Sequence, residues 1–115
     1  MTIPETQMRL TLAKAGVRWD AVRVTAAVGK RVADHLGAGC GGVVADGVHV
    51  WFFVEPGRGG ELTLPGVTVL GRGDLLLVPA DRIISPPGPH WARLSSRRTT
   101  STLALYRAFT HGDPW

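Results

Sequence analysis

Twelve residues in the middle of the chain, 43–54, limit its fold more than any other stretch. Val43 to Asp46 and Val48 to Val54 read as two strands, with Asp46-Gly47 between them. An Asp-Gly link between two such runs is a strong hairpin signal, because the tight turn needs backbone angles that few other residues accept. Side chains along a strand alternate between its two faces. Val48, Val50, Phe52 and Val54 therefore share one face, read as core, while His49, Trp51 and Phe53 share the other. A chain carrying this hairpin has to build a sheet and bury at least one side of it.

The flanking segments add helices and further strands. Thr2 to Glu5 has capping-box spacing, Pro4 suits a first helical turn, and Met8, Leu12 and Ala15 recur at helical intervals before Gly16. These signals predict a helix over 1–16. Asp20 to Val24 reads as a strand. Thr25 then caps a second helix, with Val28, Val32 and Leu36 on one side and Gly37 as its stop. Val67–Leu70 and Asp74–Val78 are expected to pair across Gly71-Arg72-Gly73, which puts an arginine at a turn tip. The proline-rich run 85–89 must be irregular, because proline cannot donate ladder hydrogen bonds. His90-Trp91 opens a last short strand, and Leu103–Phe109 leans towards helix. The pattern as a whole is α+β: a small mixed or antiparallel sheet packed by two or three helices. With 115 residues it is expected to be one domain.

Composition narrows the class of function. Hydrophobic residues make up 44%, too many for a disordered chain. Thirteen Lys and Arg against nine Asp and Glu give a formal charge of +4, which favours an anionic partner such as nucleic acid or a nucleotide and also serves plain solubility. Cys40 is the one cysteine, so neither an internal disulfide nor a cysteine-based zinc site can form. No leader-like segment and no apolar run of about 18 residues is visible, so a cytoplasmic location without a membrane partner is expected.

Few residues carry chemistry. Gly39-Cys40-Gly41-Gly42 lacks the spacing of a phosphate-binding loop. Asp46, His35, His49, His90 and His111 have no metal-site spacing, and Ser95-Ser96 has no nucleophile-elbow pattern. His49 beside Trp51 suits a base or a phosphate, yet equally suits a half-buried histidine under a helix. Arg93, Arg97 and Arg98, followed by Thr99 and Thr100, form an anion surface with Arg72 if they lie near the His49 face; otherwise they belong to a solvated loop. Trp115 is either a docking anchor or a loose end.

The order of several segments resembles a known family. These are Trp19-Asp20-Ala21-Val22-Arg23-Val24, then Gly42-Val43-Val44-Ala45-Asp46 running into Gly47-Val48-His49-Val50-Trp51-Phe52-Phe53-Val54-Glu55-Pro56-Gly57. Leu64-Pro65-Gly66-Val67-Thr68-Val69-Leu70-Gly71-Arg72-Gly73-Asp74-Leu75-Leu76-Leu77-Val78-Pro79 follows, and Pro87-Gly88-Pro89-His90-Trp91 closes the series. Over roughly 17–95 this is similar to the bifunctional primase/polymerase-type domain of the archaeo-eukaryotic primase superfamily, in the short divergent versions common in actinobacteria. The resemblance implies an RRM-like core over 17–95, flanked by the helix at 1–16 and a basic loop and tail at 96–115. It also implies that His49 matches the strand histidine that holds nucleotide phosphates.

The family polymerises through metal ions held by an Asp-x-Asp pair and a third acid, since hard cations need several negative oxygens. Here Asp46 matches the first aspartate at best, Val48 stands where the second belongs, and Thr68 stands at the third; Asp74 lies nearby at a turn. The expected protein is therefore a non-catalytic binder of nucleic acid (DNA or RNA) or a nucleotide, needing no metal and no cofactor. Its expected site is His49, Trp51, Arg72, Arg93, Arg97 and Arg98. The alternative is a regulatory module that docks a protein on the former active face.

Overall fold

A computed structural model describes residues 9–111. Seven strands and two α-helices follow one another as β1 (Leu10–Lys14), β2 (Asp20–Thr25), α1 (Ala26–Leu36), β3 (Val43–Ala45), β4 (His49–Val54), β5 (Thr68–Leu70), β6 (Leu75–Pro79), β7 (His90–Arg93) and α2 (Thr102–His111). Five strands form an antiparallel sheet in the order β5-β2-β4-β3-β7, and β1 with β6 forms a separate two-stranded antiparallel sheet. The fold is α+β. No helix among the described residues is long and apolar enough to cross a membrane.

The β3–β4 hairpin turns at Asp46-Gly47, pairing Val44 with Trp51 and Ala45 with Val50. Alternation along β4 then divides two cores. Val50, Phe52 and Val54 join Val22, Val24 and Val43 of the neighbouring strands. Together they pack under Val32 of α1 and Leu105, Ala108 and Phe109 of α2. Phe53, on the opposite side, joins Ala21, Val44, Trp19 and Trp91 beneath Ala15, which follows β1, and Leu76 of β6. Trp19 meets Phe53 edge-on, with ring centroids 4.9 Å apart. The Trp91 indole N–H donates to the Pro79 carbonyl at 2.9 Å, so its polar atom is satisfied inside the layer. Val48 departs from the core reading: it precedes the strand and is exposed.

The structure corrects two expectations about the elements. The helix predicted over 1–16 is not found where its span is described: residues 10–14 are β1, and residues 1–8 lie outside the described residues. Leu12 is exposed and Ala15 fully buried, which fits no single helical face. The same letters also alternate with period two, and β6 supplies a ladder along all of β1, so tertiary pairing decides. Gly16 ends a strand rather than a helix. At φ 85° it turns the chain towards β2, and a Cβ there would meet the Arg72 Cα at 2.5 Å.

The second correction concerns β5 and β6. The turn between them forms as expected: the Gly71 N–H donates to Asp74 Oδ2, and the Asp74 N–H donates to the Gly71 carbonyl, each at 2.9 Å. The two strands nevertheless pair with β2 and β1 rather than with each other. Leu70 packs from the large sheet, and Leu76 from the small one, into the same core between the layers. The turn is thus a corner joining two stacked sheets, and burial of both leucines outweighs local pairing.

Candidate nucleic-acid interface

The helices cover the valine face of β4, and the small sheet covers only part of the other face. What stays open there is built from β2, β4 and β5. Register places Arg23 beside Trp51 and Thr25 beside His49 on β2 and β4, and Arg23 beside Thr68 on β5. Cross-strand neighbours of this kind sit close enough for their side chains to act together. The His49 and Trp51 rings lie 6.2 Å apart at 61°, an edge-to-face arrangement. Both residues are half-buried, and Arg23 reaches across to hydrogen-bond the Thr68 hydroxyl at 3.4 Å. A large ring, an imidazole and a guanidinium thus share one patch.

The six sequence-predicted site residues divide unevenly. His49 and Trp51 come together. Arg72 is exposed at the β5–β6 corner. The strand register puts that corner near the Asp20–Val54 end of the sheet, away from the Thr25–His49 end. Arg93 donates to the Gly37 carbonyl at 2.5 Å beyond the C-terminus of α1, so it ties β7 to the helix layer. Arg98 lies over the Trp91 ring at 4.2 Å and pairs with Asp81 at 3.5 Å. Arg97 is exposed on the loop before α2, lining a shallow hollow with Glu55 and Arg58. The arginines therefore do not join His49. Arg23 takes their place, a residue visible in the sequence only as an alternating member of a strand whose partners were unknown.

The carboxylate positions do not fit a two-metal centre. Asp46 Oδ1 accepts the N–H groups of Val48 at 2.9 Å and His49 at 2.7 Å, which makes it the cap of the hairpin turn. Slight burial raises its proton affinity, yet those two N–H groups and the His49 ring outweigh this and hold the carboxyl below its usual range. Asp74 caps the β5–β6 corner, and Thr68 is bonded to Arg23. Asp20 is buried, with Oδ2 accepting from Gly57 and Gly59 at 3.0 Å each, so it anchors the 57–59 loop. Among the described residues, no three His, Cys, Asp or Glu side chains are grouped to hold a metal ion. Cys40 is buried, which pushes its thiol up against the opposing pull of Arg93 and Thr100. Trp115 lies outside the described residues.

No family model, no curated protein and no solved structure matches this chain.

Proposed function

We propose that the protein is a non-catalytic module that binds single-stranded nucleic acid or a nucleotide on the open part of its five-stranded sheet. One observation carries this reading: Trp51, His49 and Arg23 lie side by side on the sheet face away from the helices. Bases stack on an indole whatever their sequence, at about 1–3 kcal/mol per base. A guanidinium adds cation–π attraction and a fork for phosphate oxygens. The net charge of +4 assists the approach of an anion. Recognition without chemistry agrees with carboxylates spent on turns and loops. A reduced primase/polymerase-like scaffold that has lost its acids is the lineage this reading favours, acting in the cytoplasm.

Anisotropy of a labelled twelve-nucleotide oligothymidylate (roughly a one-platform site length), titrated at low salt, tests the proposal. Trp51→Leu keeps apolar area under the small sheet but removes the stacking surface. It is expected to weaken binding by about ten-fold or more, and Arg23→Ala is expected to flatten the salt dependence. If the oligonucleotide and mononucleotides all fail to bind at low salt, the proposal is wrong. A salt-insensitive protein ligand lost on Trp51→Leu would instead assign the same patch to protein docking.

A further inference from the structure

The small sheet has two strands among the described residues. β1 pairs only with β6 among the described residues. The Ala15 N–H bonds the Asp74 carbonyl, and the Ala80 N–H bonds the Arg9 carbonyl. Bonded and non-bonded positions alternate in an antiparallel pair. The N–H and C=O groups of Leu10, Leu12 and Lys14 therefore point away from β6, towards the unpaired edge.

That edge borders a cleft of about 540 Å³. Four consecutive residues of β1, 11–14, line it, as expected of a groove running along a strand rather than a pit above one. Trp19 and Val78 add apolar surface, and Lys14, Arg18 and Arg98 bring three cations. Among the described residues, no carboxylate lines the groove; Asp81, the partner of Arg98, is not among its walls. Stacking on Trp91 holds the Arg98 guanidinium in place. Lys14 and Arg18 are exposed.

We infer that this groove takes an extended acidic peptide of a partner protein, which adds to β1 as a third strand. Unpaired main-chain groups supply the ladder, apolar wall residues receive alternate side chains, and the three cations select carboxylates. Main-chain donors and acceptors in a row suit a peptide better than a phosphodiester chain, which has no N–H to give. The site is separate from the Trp51 patch, so it stands or falls independently of the function proposed above.

The test uses a capped octapeptide alternating glutamate with valine, titrated by calorimetry against the whole protein. Binding is expected to fall about ten-fold or more in the Lys14→Glu, Arg18→Glu double variant, and to be unchanged in Trp51→Leu. Backbone involvement is read from the peptide itself. N-methyl groups on one alternate set of amides should abolish binding, and on the other set should leave it intact. Absence of binding, indifference to both N-methyl sets, or indifference to the charge reversals each overturns the inference. So does an inert peptide together with self-association or oligonucleotide binding that depends on Lys14 and Arg18, which would give the groove to a second copy or to nucleic acid.

Discussion

Replacing Gly29 with alanine should destabilise the protein, although the residue lies inside α1, where alanine is the better helix former. Helix propensity alone favours the substitution by about 0.8–1.0 kcal/mol. Packing opposes it. A Cβ at position 29 would stand 1.9 Å from Cγ2 and 3.1 Å from Cβ of Val50, the β4 residue beneath the helix. The nearest atom belongs to a β-branched side chain with little rotamer freedom, so α1 or β4 must move apart. Overpacking costs about 1–3 kcal/mol. A 1.9 Å approach to a stiff side chain belongs in the upper part of that range, about 2–3 kcal/mol, leaving a net loss of about 1–2 kcal/mol after the propensity gain. Val50→Ala alone should cost about 2 kcal/mol through lost burial and a cavity. Combined, the two changes relieve each other, because the new methyl enters space that the valine has vacated. The double variant should therefore be more stable than the sum of the singles by about 2 kcal/mol. Urea denaturation followed by far-ultraviolet circular dichroism measures all four proteins, and an unchanged slope confirms that only stability has moved. If Gly29→Ala raises the midpoint, or the two effects simply add, the close seating of α1 on β4 is refuted.

Two further substitutions probe the carboxylates. Asp20→Ala removes the acceptor for the Gly57 and Gly59 N–H groups and should cost about 2–3 kcal/mol in the same urea assay, with the 57–59 loop gaining hydrogen exchange before any strand does. Asp46 has a lowered carboxyl pKa, so its contribution is present above the unfolded value of about 3.9 and is lost as pH falls through the lower folded value. Asp46→Asn keeps a neutral acceptor for the turn, and it should lose less stability than the parent protein between about pH 5 and about pH 3; equal losses would contradict that account.

Local chemistry made much of the fold legible. The hairpin at Asp46-Gly47, the strand at 20–25, the helix ending at Gly37 and the two faces of β4 all rest on signals within a few residues of one another. What stayed hidden depends on distant partners. β1 carries residues that suit a helix or a strand, and only the ladder with β6, some sixty residues later, decides between them. The corner at 71–74 has the turn residues of a hairpin, and only the stacking of two sheets sends its strands apart. The candidate site follows the same division. His49 and Trp51 are neighbours on one strand and were found together. The arginine beside them comes from another strand, and pairing register is not written in either one. Lys14 is hidden inside the helix reading and Arg18 just beyond it, since a helix scatters the residues that a strand edge aligns. Clustered letters misled in the other direction: Arg93 and Arg98 stand near each other in sequence, yet one fastens a helix end and the other rests on an indole.

The two cores meet at β4, where Phe52 serves the helix layer and Phe53 the aromatic layer. Inserting or deleting one residue within that strand would exchange the contents of both interiors at once, since a single step turns every following side chain to the opposite side. A change of length is better borne in the exposed proline-rich bend at 84–88, where no core side chain depends on counting. A graft or tag placed in that bend should leave both interiors intact, whereas the central strand admits exchange of residues but not a change in their number.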